Sequence, residues 1–282
     1  MLCSEFRSEA RTVRSCKHSP KHGTAGGKFG KDRTMYNISN RIAVVTGAGK
    51  GIGRAIAERF VKEGPEGLAL LDYDFDLVSK TAKELDPTGK KVIAVKCNVA
   101  DPESVKEAFA KVNEVFGRVD ILVNNAGITR DGMFHKMTFE QMHAVMDVNF
   151  FGVYNCCAQV INGMRERAYG KIVNISSTSS YGNVGQANYS ASKGAIEGFT
   201  RTLAKESGRK NITVNAILPG CIDTEMMRAV PEANMKAILA SHPMQRLGTV
   251  DEVANLVMFL CSDESSYISG ECIITSGSYI IH

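Results

Sequence analysis

Between residues 41 and 60 an apolar, β-branched run, Arg41-Ile42-Ala43-Val44-Val45, passes without a linker into Thr46-Gly47-Ala48-Gly49-Lys50-Gly51-Ile52-Gly53 and then into Arg54-Ala55-Ile56-Ala57-Glu58-Arg59-Phe60. That order reads as a buried strand, a glycine-rich turn and an amphipathic helix. Few arrangements use such a turn. Its glycines allow a tight bend and close approach to a pyrophosphate, while the free amides at the helix start face the anion.

The same alternation runs through the rest of the chain. Apolar runs at 42–45, 68–71, 92–97, 121–124, 171–175, 213–217 and 271–275 predict strands. Helical patterns fill the gaps, including 78–85, 102–116, 139–167, 191–207 and 250–260. Strands alternating with helices signal a parallel sheet covered on both faces. Crossovers between parallel strands are right-handed, so the expected fold is one α/β domain, a doubly wound parallel sheet of Rossmann type, over residues 35–282. Ligands in such a sheet bind beyond the carboxyl ends of the strands. The glycine turn, Asn124, Ser177 and Pro219-Gly220 all fall there.

Tyr189 and Lys193 stand four residues apart in Tyr189-Ser190-Ala191-Ser192-Lys193, so a helix would place phenol and ammonium on one face. A tyrosine titrates near pH ~10, and proton transfer near neutrality asks the surroundings for roughly three units, about 4 kcal/mol. One positive charge about 4 Å away, at an effective dielectric of about 20, supplies energy of that order. The spacing alone also fits two residues that merely share a helix face.

The spacing Gly47, Gly51, Gly53, with Asn124-Asn125-Ala126-Gly127 and the Tyr189/Lys193 pair, resembles the short-chain dehydrogenase/reductase family from about Asn40 to near the C-terminus. The resemblance implies a nicotinamide-dependent oxidoreductase acting on a carbonyl or secondary alcohol. It implies that Gly47, Gly49, Lys50, Gly51, Ile52 and Gly53 hold the cofactor pyrophosphate, and that Asn125, Ala126 and Gly127 lie along the cofactor. Asn98 and Val99 would meet the adenine, while Pro219, Gly220, Ile222 and Thr224 would clasp the nicotinamide carboxamide. Tyr189 and Lys193 would contact the cofactor and, with Asn149 and Ser177, form the catalytic set. Tyr189 would then be the proton donor, Lys193 would lower its pKa, Ser177 would fix the carbonyl and Asn149 would hold a water. Counting back from Tyr189 lands on Ser176 instead. Loops tolerate a change of length better than a buried strand does, which favours Ser177.

Asp72 follows the second strand, about twenty residues past the turn, where a carboxylate can accept from a ribose 2′-hydroxyl and would repel a 2′-phosphate. It could equally be a strand-end or capping acid. Lys50 pulls the other way, since in this family a basic residue there often accompanies NADP(H). Asp74 and Asp76 add negative charge, so NAD(H) is favoured and NADP(H) is the alternative.

Within the family, Gly185-Gln186-Ala187-Asn188-Tyr189-Ser190-Ala191-Ser192-Lys193-Gly194 and Pro243-Met244-Gln245-Arg246-Leu247-Gly248 are most similar to β-ketoacyl-acyl-carrier-protein reductases. The implied reaction is reduction of 3-oxoacyl-(acyl-carrier-protein) thioesters in fatty-acid synthesis, with acyl carrier protein as a possible partner. Arg165, Arg167, Arg209 and Lys210 stand near the places where those enzymes carry basic residues beside the site, and Ala168 replaces one expected arginine. The alternative is an NAD-dependent secondary alcohol, sugar alcohol or hydroxysteroid dehydrogenase. Ile274-Thr275-Ser276-Gly277-Ser278 departs from the family's Val-Asp-Gly-Gly. The family also implies a homotetramer built through 139–167, 191–207 and the last strand. Met226, Met227, Met235 and Met244, with Pro231 breaking the pattern, would suit an apolar substrate or plain core packing.

Composition narrows the remaining classes. The net charge is +4, but residues 1–34 hold eight Lys/Arg against Glu5, Glu9 and Asp32, which leaves the rest at −1. A nucleic-acid partner is therefore not expected for the folded part. Residues 1–34 are expected to be a disordered basic extension. Its possible roles are a targeting leader, an uninformative stretch before Met35, or a plain tail, with Glu5 and Glu9 counting against a leader. The location follows as cytoplasmic, or mitochondrial or plastid if the stretch is a leader. Eight scattered cysteines suit a reducing compartment. His135 and His143 lack partners at ligand spacing, so no metal is expected, and no apolar run approaches a membrane span. Two further classes are a nucleotide sensor without chemistry, against which the intact Tyr189, Lys193, Ser177 and Asn149 argue, and a scaffold acting through the basic extension.

Overall fold

The computed structural model describes residues 35–280 other than Ala229 and Pro231. The basic extension at 1–34 and Pro231 thus lie outside the described residues. Seven strands form one sheet: β1 Ile42–Thr46, β2 Gly67–Asp72, β3 Val92–Lys96, β4 Ile121–Asn124, β5 Gly170–Ile175, β6 Ile212–Pro219 and β7 Cys272–Thr275. Their order is β3-β2-β1-β4-β5-β6-β7 and every pairing is parallel. The helices are α1 Gly51–Glu63, α2 Phe75–Leu85, α3 Pro102–Phe116, α4 Phe139–Met146, α5 Gly152–Arg167, α6 Ala187–Ser207, α7 Glu225–Arg228, α8 Glu232–Ser241 and α9 Val250–Cys261.

Strand residues alternate between two cores because successive side chains point to opposite faces. Ala43 and Val45 of β1 and Val173 and Ile175 of β5 meet α1, α2 and α9 through Ile56, Phe60, Val78 and Val257. Val44 and Ile172 meet α3, α5 and α6 through Phe109, Val160, Met164 and Ile196. The strand order reverses direction between β1 and β4, which opens a crevice at their carboxyl ends.

Helix starts differ from the sequence expectation where a cap or a distant contact sets them. Asp74 accepts from the Leu77 amide and starts α2 at Phe75, three residues early. The α6 helix begins at Ala187, four residues early, so both Tyr189 and Lys193 are helical. The expected 139–167 helix is interrupted by a wide, π-type turn at Asp147–Phe151, where Asn149 is fully buried. That stretch, Phe139–Arg167, is by length and composition long and apolar enough to cross a membrane, an 18-residue window within it having a mean hydropathy of 1.2, contrary to the expectation of no such run. Its composition is accounted for by packing: Val153, Cys156, Cys157, Val160 and Met164 line the second core.

Candidate active site

The glycine turn is shaped by contacts that exclude side chains. A Cβ on Gly53 would lie 2.1 Å from the Gly47 carbonyl oxygen, and one on Gly47, at φ +63°, 2.9 Å from the Ala126 Cα. Thr46 ties this turn to the segment after β4, its hydroxyl oxygen accepting from the Asn125 and Ala126 amides at 3.0 and 3.1 Å. Asn125 returns the contact, its amide donating to the Thr46 and Gly47 carbonyls at 3.0 Å. No side chain caps α1, so its first amides remain available to an anion. The uncapped helix start and the side-chain-free cradle fit a dinucleotide pyrophosphate. Thr46 was missed in the sequence, although a threonine ending an apolar strand just before a glycine turn was the visible signal.

Asp72 uses one carboxylate oxygen to accept from the Gly49 amide at 2.9 Å and the other to accept from the Asp74 amide at 3.1 Å. It is thus a strand-end acid that pins the turn. A carboxylate has about four acceptor sites, so capacity remains for ribose hydroxyls. Lys50 pairs with Glu225 at 3.0 Å. The Glu225 contact holds the ammonium above the usual lysine range, helped by Asp72 and Asp74. The Asn98 side-chain oxygen accepts from Ala100, and the Val99 carbonyl accepts from Asn155. At the far side, the Pro219 carbonyl accepts from Thr178. Gly220 packs where a Cβ would lie 2.9 Å from the Ser276 Cα. Ile222 is buried and bridges Gly248, and the Thr224 carbonyl accepts from the Arg228 amide.

Tyr189, Lys193, Ser177 and Asn149 are brought together. The Lys193 Nζ lies 5.4 Å from the Tyr189 ring centroid and donates to the Ile175 carbonyl at 2.7 Å. Ser177 accepts from the Ser179 amide, and its hydroxyl lies beside the Tyr189 phenol, opposing the upward shift that burial causes there. Ser176 faces the opposite way, donating to the Lys193 carbonyl and to Glu197, each at 3.1 Å. The alternation of strand residues thus turns one serine into the cleft and the other into the core. Asn149 grips the chain after β4, accepting from the Ile128 amide at 2.8 Å and donating to the Ile128 carbonyl at 3.1 Å. It also donates to Ser192 at 3.0 Å, a residue the sequence reading had not singled out. Gly127 sits between them, where a Cβ would lie 3.3 Å from Asn149 Oδ1 and 3.6 Å from Lys193 Nζ.

The electrostatics correct one expectation. Lys193 was expected to pull the phenol down, but burial raises Tyr189 above its ordinary value, opposed by the Ser177 hydrogen bond and reinforced by Asp131. Lys193 instead moves, and burial lowers it to about 8. In a site shut off from water, desolvation outweighs a charge whose own hydrogen bond is spent on a backbone carbonyl.

Two other expectations fare differently. Arg165 and Arg167 end α5 just before β5, and Arg209 and Lys210 precede β6. Within one chain they therefore stand at the amino-terminal edge of the sheet, opposite the site, and Arg167 is turned onto the Val119 carbonyl and Asp120. Of the methionines, Met244 lines a cavity of about 540 Å³ with Cys221, Ile222, Ile274 and Ile280, and none of the four catalytic candidates lines it.

A crevice with these donors, at the reversal of a parallel sheet, defines a nicotinamide-dependent oxidoreductase. A family model described as enoyl-(acyl carrier protein) reductase matches residues 47–279. The chain is 45% identical over 240 residues to an acetoacetyl-CoA reductase of Shinella zoogloeoides, covering 84% of this chain and 98% of that protein. It is 41% identical over 245 residues to the 3-oxoacyl-[acyl-carrier-protein] reductase FabG of Thermotoga maritima, covering 86% and 99%. The match to FabG of Escherichia coli K12 is 40% over 249 residues, covering 87% and 100%. The chain belongs to the short-chain dehydrogenase/reductase family.

Proposed function

We propose that this enzyme reduces the 3-oxo group of acyl thioesters carried by coenzyme A or acyl carrier protein, with NAD(H) as its preferred cofactor. The observation that carries the reading is the convergence of the Ser177 and Tyr189 hydroxyls beside a buried Lys193. Its thioester preference is supported by similarity over nearly the full length of relatives named for acetoacetyl-CoA and 3-oxoacyl-carrier reduction. Two convergent hydroxyls suit an oxygen acceptor, which favours a carbonyl over the carbon–carbon double bond in the family model's description.

Bound at the glycine turn, the dinucleotide supplies hydride. Gly47 to Gly53 would hold its pyrophosphate, Asp72 its adenosine ribose, Tyr189 and Lys193 its nicotinamide ribose, and Ile222 and Thr224 its carboxamide. Ser177 donates to the substrate oxygen and orients it. Tyr189, kept protonated by its burial, delivers the proton to that oxygen. The Lys193 ammonium offsets the phenolate charge left behind, and Asn149 fixes the Ile128 backbone that walls the site.

Assembly as a homotetramer through α5 and α6 is part of the same reading. It is supported by exposed Phe151 and Tyr154 and by the open space above Gly194 and Gly198.

A substrate panel tests the assignment. With NADH, acetoacetyl-CoA and a 3-oxoacyl-carrier thioester should be reduced at a kcat/KM at least a hundredfold above that for a steroid ketone or a ketose. Preference for either of the latter would overturn it.

A further inference from the structure

Lys50 belongs to the loop after β1, Glu225 to the segment after β6, and their side chains meet at 3.0 Å. In the sheet those strands are separated by β4 and β5, so three strand spacings, about 14 Å, lie between them. The ion pair therefore joins the two sides of the site across the carboxyl ends of β4 and β5, beside the crevice between β1 and β4. Its partners differ from the other charges near the turn. Arg54, in the first turn of α1, is paired with Glu58 and Glu84, each at 2.9 Å. Asp72 accepts from the Gly49 amide, and the Asp72 and Asp74 carboxylates both lie near enough to favour the Lys50 charge. The two cations closest in sequence to the turn are thus both engaged, and a ribose 2′-phosphate arriving beside Asp72 would meet like charge.

We propose that Glu225 is a cofactor-specificity determinant, holding Lys50 across the crevice and so withholding from a 2′-phosphate the cation that the glycine turn would otherwise offer it. The inference rests on the NAD(H) reading above and extends it to a residue outside the strand-end acid. Without Glu225, the Lys50 ammonium is left to Asp72, Asp74 and the ribose beside them. Both side chains of the pair are largely exposed, at 66% and 74%, so the effect is that of a solvated ion pair, up to about fivefold.

Equilibrium binding of NADH and NADPH, followed by cofactor fluorescence, tests this in the wild type, Glu225→Gln, Lys50→Gln and the double variant. Glu225→Gln should lower the Kd for NADPH about fivefold relative to that for NADH, and the gain should vanish when Lys50 is also replaced. A Glu225→Gln variant that shifts both cofactors alike, shifts neither, or keeps its gain without Lys50 overturns the proposal alone. A wild type that binds neither dinucleotide overturns the dehydrogenase reading and this inference with it, so the two failures are told apart.

Discussion

Lys193 is 3% exposed, and its ammonium donates to the Ile175 backbone carbonyl rather than to a carboxylate. A lysine lowered to about 8 by burial carries its charge only below that pH. Tyr189 is shifted the other way and keeps its proton throughout the same range. The reductive kcat/KM should therefore be flat through neutrality and fall about tenfold per pH unit above pH 8 as Lys193 loses its proton. A profile that rises across this range would show that the ammonium is not required. The adjacent serines separate chemistry from packing. Ser177→Ala should lower kcat about a hundredfold. Ser176→Ala should cost about 1 kcal/mol of stability by thermal denaturation, with little change in kcat, because it removes a buried hydroxyl bonded to Glu197. The pair spacing was legible in the sequence, and the tolerance of the loop favoured the one of the two serines that lies beside Tyr189. The direction of the tyrosine shift was not, because desolvation depends on what four distant elements enclose.

At the scale of elements, the strands were legible to within a residue or two because fully buried parallel strands read as unbroken apolar runs. The π-type turn around Asn149 was not. It exists because the Asn149 amide reaches Ile128 and Ser192, contacts that leave no local pattern. The end of α5 carries a testable cost. Ala168 caps it in the left-handed region at φ 52°, a conformation that disfavours residues with a Cβ by about 1–2 kcal/mol. After the entropy a glycine loses, Ala168→Gly should still stabilise by about 0.5–1 kcal/mol, raising Tm by about 2 °C. The glycine turn is the contrary case. Gly53→Ala has no space beside the Gly47 carbonyl, so it should abolish dinucleotide binding measured by calorimetry.

For the molecule as a whole, the alternation of strands and helices specified the sheet and the end at which ligands bind, since handedness leaves few topologies. Contacts between loops after different strands, Lys50 with Glu225 above all, could not be read from a one-dimensional pattern. Nor could the placement of Arg165, Arg167, Arg209 and Lys210 at the far edge, which depends on the direction of each helix. The α5–α6 face predicts four-chain sedimentation, with Gly198→Arg shifting the protein to smaller species by placing a long side chain in the open space above α6.

The central claim, that Tyr189 donates the proton in a nicotinamide-dependent reduction, is tested most directly by Tyr189→Phe. Acetoacetyl-CoA turnover and NADH binding should be measured on the same preparation. The kcat should fall by about 10²–10⁴-fold while the Kd for NADH rises by no more than about tenfold, since one ribose hydrogen bond is lost and the glycine turn and Asp72 remain. Turnover undiminished by the loss of that hydroxyl would contradict it.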